Sequence, residues 1–288
     1  MVKIVSVINL KGGVGKTTTT VALADALSAK FGKKVLVIDL DPQTNATLML
    51  IGEQRWKALN DEGRTLATLF RDQIDGSDKF TLPPTLQKGV SNVAAATTID
   101  LLPSSIDLVE IQEDLSLTPV TKLKNQSLVD ILRNATARLV KQYDYVLLDA
   151  PPSLGVITRN GLRMSDAYLI PAVPDYLSTY GIPQIIRSVR TFAEEVGLHI
   201  APLGLVATRV SQMMPAHKAM LQLLRTRAKE EPDKWPPVFT EHYPQGNSFA
   251  NAAQASIKHS SLNSKYGPLG RLKVELVARE FIKRAEAL

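Results

Sequence analysis

Three short stretches of the chain combine residue types that can do chemistry. The first is Lys11-Gly12-Gly13-Val14-Gly15-Lys16-Thr17-Thr18. Glycines let successive backbone N–H groups close around phosphate oxygens. The start of a helix just beyond them adds partial positive charge. In that geometry Lys16 reaches the β- and γ-phosphates of a nucleotide, and the Thr17 hydroxyl ligates Mg²⁺. Thr18 can bond the α-phosphate. The stretch departs from the ordinary G-x-x-x-x-G-K-[ST] pattern. Residue 10 is Leu, and a second lysine, Lys11, opens the loop. Lys11 cannot easily fold back onto its own phosphates past Gly12-Gly13. It can reach phosphates on a facing subunit, as a cation supplied in trans.

The second stretch, Val35-Leu36-Val37-Ile38-Asp39-Leu40-Asp41-Pro42-Gln43, ends an apolar run with two carboxylates. Both can point to one face at the carboxyl edge of a sheet, because Leu40 lies between them. Ligands of open α/β sheets bind at that edge. One carboxylate can orient Mg²⁺-bound water and the other the attacking water. We assign water activation to Asp41 and the metal shell to Asp39. The third stretch, Tyr143 to Ser153, is a further apolar run ending at Asp149. Asp149 would hold Mg²⁺ through water or sense the γ-phosphate. Residues 150–155 would then rearrange with nucleotide state.

These residues need a scaffold, and the hydrophobic pattern supplies one. Val2–Asn9, Val35–Asp39, Ile99–Leu102, Tyr145–Leu148, Tyr168–Val173 and Leu203–Ala207 read as buried strands, with Val238–Thr240 a weaker candidate. Helices are expected over Lys16–Phe31, Leu66–Ile74 and Ser127–Lys141, and near 155–164, 178–196 and 215–229. Strand alternating with helix predicts a single α/β domain over 1–288, a mostly parallel twisted sheet with helices on both faces. Residues 53–98 read as a surface insertion with one short helix, and 257–288 as a basic carboxyl-terminal region.

The chain has 288 residues, 44% of them hydrophobic, which excludes disorder as its main state. No apolar run approaches the roughly 18 residues of a membrane-spanning helix. Cysteine is absent, so disulfides, thiolate zinc sites and cysteine-held iron–sulfur clusters are excluded. Nothing contradicts a cytoplasmic location. The net charge is +6 and unevenly spread. Residues 251–288 hold seven Lys/Arg against three Asp/Glu, while residues 51–150 hold eleven against fourteen. A basic end points to a polyanion, either nucleic acid or an acidic membrane surface.

The three stretches together resemble the ParA/MinD family of deviant Walker ATPases. The matching residues are Lys11–Thr18, Asp39 to Thr47 and Asp149-Ala150-Pro151-Pro152-Ser153-Leu154-Gly155, with further match in Thr158 to Leu162 and Ala167–Pro174. The likeness spans most of 1–210 and thins beyond. It implies ATP and Mg²⁺ as cofactors and a homodimer closed by ATP, each Lys11 reaching across. It also implies sequence-blind duplex DNA binding on the nucleoid, and a cargo-bound partner that stimulates hydrolysis. Cargoes in the family include plasmids, chromosomal origins, chemoreceptor clusters and carboxysomes. Thr208-Arg209 lies where relatives contact adenine, and an arginine plane can stack on a base.

Departures from the family sharpen the expectations. Plasmid members often carry an added N-terminal DNA-reading module, whereas here a strand begins at Val2, so operator-specific repression is not expected. Many short members carry arginines in the segment matching His242–Ala253, and here there are none. DNA contact is therefore expected from Lys258, Lys265, Arg271, Lys273, Lys283 and Arg284, with Arg187, Arg190, Lys218 and Arg225 as second choices. Two rival readings remain. Residues 269–288 have apolar residues at helical spacing with basic ones between, as a MinD-like membrane helix would, although three glutamates and the lack of Trp anchors oppose it. An ATP-dependent synthetase on the same scaffold would need a further carboxylate pocket, for which the sequence offers no constellation.

Overall fold

The computed structural model describes residues 1–117, 127–211, 213–246, 249, 252, 254 and 257–288. Six strands run β1 (Lys3–Val7), β2 (Val35–Asp39), β3 (Ile99–Leu102), β4 (Tyr145–Asp149), β5 (Ala167–Ala172) and β6 (Ala201–Ala207). They form one parallel sheet in the order β3-β2-β4-β1-β5-β6. Parallel strands need crossovers, and helices supply them. In chain order these are α1 (Lys16–Ala29), α2 (Asn45–Ile51), α3 (Glu53–Asp61), α4 (Leu66–Asp75), α5 (Leu82–Thr85), α6 (Leu108–Leu117), α7 (Ile131–Thr136), α8 (Val156–Met164), α9 (Tyr176–Thr179), α10 (Ile182–Glu195), α11 (Pro215–Glu230) and α12 (Leu262–Glu286).

Each strand is buried on both faces, which explains why the sequence shows β-branched runs and not alternation. The period of two sorts residues between layers. In β2, Val35 and Val37 face the layer built by α1 and α12, while Leu36 and Ile38 face the layer of α4, α6, α7 and α8. A third cluster joins Ile8, Tyr168, Ile170 and Leu205 to α10 and α11. The register that follows places Asp39 opposite Asp149, and Asp149 opposite Val7. The ends of β1, β2 and β4 thus share one carboxyl edge.

Several expectations change. The segment 53–98 is no surface insertion: Leu66 and Phe70 are fully buried beneath β2 and β3, and Val90, Val93 and Ala96 join the opposite layer. The helix expected over 127–141 is limited to α7 and a separate 3₁₀ turn at Val140–Gln142. Thr136 bonds its hydroxyl to the Leu132 carbonyl, the back-bonding that weakens a helix end. Val238–Thr240 makes a single bridge to Leu205 and no strand, since the preceding Pro236-Pro237 offers no N–H donors.

The longest helix, α12, is kinked at Gly267-Pro268. Its Val274, Val277, Ala278 and Phe281 are fully buried in the α1 layer, with Phe281 edge-on to Tyr145 at 5.4 Å. No described helix is long and apolar enough to cross a membrane.

Candidate functional site

The carboxyl edge of the sheet holds a cavity of about 750 Å³. The loop from β1 to α1 lines one side with Gly12, Gly13, Gly15, Lys16, Thr17 and Thr18. Gly13 and Gly15 have φ of 72° and 85°, a region costly for any residue with a Cβ. Gly15 is the N-cap of α1, whose unsatisfied N–H groups therefore point toward the cavity. Thr208 braces the loop from β6, donating its hydroxyl to the Val14 carbonyl at 2.7 Å. Arg209 donates to the Gly13 carbonyl at 3.3 Å from a left-handed backbone (φ 52°). A non-glycine residue held there stores strain, and such strain gathers at ligand sites.

Lys16 is buried and donates its ammonium to the Lys11 carbonyl at 3.3 Å. Burial lowers its pKa, against the pull of Asp149 and Asp41. The three carboxylates are placed differently from one another. Asp41 lines the cavity and accepts from the Gln43 N–H at 2.9 Å. Asp39 is fully buried, and both its oxygens are engaged: by the Asp41 N–H at 3.1 Å, and by the Thr47 N–H and hydroxyl at 2.8 and 2.7 Å. It anchors the start of α2 and does not line the cavity. That geometry moves Asp39 from the metal shell to a positioning role. Burial, then the charge of Asp149, pushes its carboxyl well above the usual range.

Asp149 is also fully buried. Its Oδ1 accepts from the Thr20 hydroxyl at 3.1 Å, and its Oδ2 has no partner. Burial pushes this carboxyl up to about 7, against the hydroxyls of Thr17 and Thr20 and the charge of Lys16. A buried carboxylate oxygen left unpaired beside a glycine-built cradle suits an oxygen-seeking cation and its water. The residues therefore fit Mg²⁺ with a nucleotide.

Lys11 points away from its own loop. Its ammonium donates to the Ser178 hydroxyl at 2.8 Å and lies 4.0 Å from Asp175, which caps α9 through the Ser178 N–H. Burial raises the Asp175 pKa, but the Ser178 bonds and Lys11 outweigh it and hold the carboxyl below its usual value. Tyr176, Leu177 and Tyr180 beside this contact are largely exposed. Lys11 is thus half-exposed at an apolar rim, outside the cavity that holds Lys16.

The sequence reading missed one wall: Tyr243, Pro244, Gln245, Gly246 and Phe249 line the cavity, and Tyr243 and Gln245 donate their N–H groups to the Ala207 and Val210 carbonyls, which sets this segment beside Thr208 and Arg209. The Tyr-Pro-Gln-Gly turn was the available signal. It also missed Asp175 and Ser178, although D-x-x-S marks a helix start. Of the segment 242–253, residues 247, 248, 250, 251 and 253 lie outside the described residues.

The basic residues divide sharply. Lys265 is fully buried and bonded to Asp25 at 2.7 Å, so it is no DNA contact. Arg284 is spent inside the fold on Glu280 and on the carbonyls of Leu203, Pro237 and Val238. Lys273 pairs with Glu241 and is mostly covered. Lys258, Arg271 and Lys283 are exposed, as are Arg187, Arg190, Lys218 and Arg225, though Arg190 and Arg225 also bond carbonyls. Lys229, unremarked in the sequence reading, shares the exposed face of α11 with Lys218 and Arg225 at helical spacing. The apolar residues of α12 that a membrane would have to bind are largely in the core.

Comparison with known proteins matches this geometry to a family. A family model described as "AAA domain" matches residues 2–201. The sporulation initiation inhibitor protein Soj of Bacillus subtilis is 32% identical over 72% of this chain and 73% of its own. The chromosome partitioning protein ParA of Caulobacter vibrioides is 30% identical over 72% of this chain and 69% of its own. Among solved structures, apo McdA of Cyanothece superposes with a TM-score of 0.71 at 21% identity, covering 99% of each chain. Cobyrinic acid a,c-diamide synthase of Mycobacterium smegmatis, solved with an ATP analog and magnesium, gives 0.71 at 22% identity, over 100% of this chain and 97% of that one. At such identity these two structures speak to the fold alone. With the family model covering more than half of the chain, phosphate loop and both aspartate strands included, and with relatives at 30–32% identity over 72% of it, the chain belongs to the ParA/MinD family of AAA-domain phosphate-loop proteins.

Proposed function

We propose that this chain is a ParA-type ATPase that binds ATP with Mg²⁺, closes into a dimer on it, and in that state holds duplex DNA without sequence preference. A partner attached to a cargo then stimulates hydrolysis and releases the dimer. The observation that carries the reading is the separation of the two lysines. Lys16 and Asp41 line the cradle and Asp149 is buried behind it on the Thr20 hydroxyl, while Lys11 stands outside at an exposed apolar rim, where a second subunit can take it up. The solved neighbour bound to an ATP analog and magnesium supports the choice of cofactor.

In the cradle the Thr17 hydroxyl would ligate Mg²⁺, with Asp149 holding its water. Asp41 faces the cavity and would orient the attacking water, while Asp39 fixes the turn that presents Asp41. The Arg209 plane, beside Tyr243 and Pro244, would hold the base. Phosphate contacts to DNA fall to Lys258, Arg271 and Lys283, with Lys218, Arg225 and Lys229 on α11. The reading places the protein in the cytoplasm on the nucleoid.

Sedimentation with ATP, ADP and no nucleotide tests the dimer. Wild type is expected to dimerise with ATP alone, and Lys11→Ala to stay monomeric while still binding ATP. A Lys11→Ala protein that dimerises as well as wild type would overturn the role given to Lys11.

A further inference from the structure

A second cavity, of about 320 Å³, opens beside the nucleotide cradle. Gly12, Gly13, Arg209 and Gln245 line both and form a shared wall. The other polar side chains of the second cavity are Lys11, Asp175, Ser178 and His217. Met214 lines it too and is the N-cap of α11, with no side-chain bond closing that helix end. The N-terminus of α11, a helix of 16 residues, therefore adds partial positive charge at this place.

His217 is only 5% exposed, yet one of its ring nitrogens is left over. Nδ1 accepts the Ser211 N–H at 3.1 Å, so in the neutral ring the hydrogen sits on Nε2. Among the described residues Nε2 has no partner. A buried donor without an acceptor is costly, and a ligand that supplies one removes the cost. Lys11 and Arg209 add two cations to the same wall. Asp175 is the one acid among the described lining residues, and its oxygens are already taken by the Ser178 N–H and hydroxyl, each at 2.7 Å. The cavity thus offers donors and an excess of positive charge.

We propose that this second cavity binds inorganic phosphate. A tetrahedral oxyanion accepts from several donors at once, and the His217 Nε2, the Lys11 ammonium and the Arg209 guanidinium are such a set. The Lys11 ammonium, now on the Ser178 hydroxyl at 2.8 Å, has only that bond to exchange. ATP hydrolysis breaks the bond between the γ-phosphorus and its bridging oxygen, adds water and leaves phosphate beside the wall that the two cavities share. The second cavity then holds that product while Lys11 is still in its own subunit. Phosphate bound there competes with a facing subunit for Lys11 and so opposes dimer closure. The inference rests on the ATPase reading for the source of the ion, whereas the binding itself can be measured without turnover.

The probe is sodium phosphate, added at constant ionic strength to the full chain saturated with ADP and Mg²⁺. NMR of the histidine ring nitrogens is expected to show the His217 Nε2 signal shifting saturably with phosphate and not with sodium chloride. Phosphate that merely filled the γ-position of the cradle would leave that signal in place. Broadening of the phosphate phosphorus line gives the affinity of variants. His217→Leu and, separately, Lys11→Gln are each expected to weaken binding about tenfold, as loss of one hydrogen bond to a charged group does. Lys11 is half-exposed, so its variant tests the site even where His217→Leu disturbs the fold. Lys88→Gln, the same loss of charge at an exposed position elsewhere, is expected to leave binding unchanged. An unmoved His217 signal, an equal response to chloride, wild-type affinity in Lys11→Gln, or a loss as large in Lys88→Gln would overturn the proposal. Failure of the chain to bind ADP would strike the ATPase reading, whereas ADP binding without phosphate binding would strike this inference alone.

Discussion

Asp149 is a buried carboxyl under electrostatic tension. Its carboxyl is buried, lies across from Asp39 in the sheet register, and leaves one oxygen without a partner. Burial raises its folded pKa to about 7, well above the ordinary aspartate value of about 3.9. The folded state therefore binds more protons than the unfolded state between these values. Stability from this group is complete below the unfolded pKa and declines as pH rises toward the folded one. Replacing Asp149 with Asn removes that penalty. The nucleotide-free variant is expected to match wild type near pH 4 and to exceed it by an amount of the order of a few kcal/mol by pH 8. Thermal unfolding of both proteins across that range measures the difference, and parallel curves would contradict the assignment. Lys16 tells the complementary story, since burial disfavours its charge and the phosphates of ATP would restore it. Lys16→Ala is expected to lower ATP hydrolysis by about 100-fold or more, as loss of a charge-stabilising donor does, read in a phosphate-release assay.

Among the elements, α1 and α12 are joined by a buried ionic cluster. Asp25 accepts from Lys265 at 2.7 Å, from the Tyr266 hydroxyl at 2.7 Å and from the Ser91 hydroxyl at 2.9 Å. Removing one partner leaves a bare charge in the core. Lys265→Met alone is expected to cost about 3–5 kcal/mol, while Asp25→Leu with Lys265→Met is expected to recover most of it. Urea denaturation of the three proteins checks this, and a double variant no more stable than the single would contradict it.

That cluster also shows where the sequence stops being legible. The strands at Val35–Asp39 and Ile99–Leu102 could be read to the residue, because an apolar β-branched run bounded by turn residues has few alternatives. The cradle at 11–18 was equally plain, since glycine spacing and its place between strand and helix encode it locally. Lys265 looked like a surface cation because its type and neighbours say so, and only the fold brings it against Asp25, 240 positions away. The sequence could give Asp41 and Asp39 different roles, but not the hold of Thr47 on Asp39, which comes from the turn into α2. The cavity wall at 243–246 depends on a return of the chain to β6 that no local pattern announces. Residues 53–98 misled through their polar composition, although Leu66, Leu69 and Phe70 carry the spacing of a buried helix face.

At the scale of the whole molecule, Lys218, Arg225 and Lys229 on α11 and Lys258, Arg271 and Lys283 are exposed cations. Sequence-blind DNA binding by them would be salt-steep. Replacing any one of Lys258, Arg271 or Lys283 by Gln is expected to lower the slope of log K against log salt by about 1. Titrations at several salt concentrations would reveal this, and unchanged slopes in all three variants would move the DNA site elsewhere.

The central claim is that ATP couples the cradle to DNA through Lys11. A gel-shift assay on non-specific duplex DNA, with ATP, with ADP and without nucleotide, for wild type and Lys11→Ala, addresses it most directly. The account predicts a shift for wild type with ATP alone and none for Lys11→Ala in any state. DNA binding indifferent to nucleotide, or retained with ATP by Lys11→Ala, would contradict it.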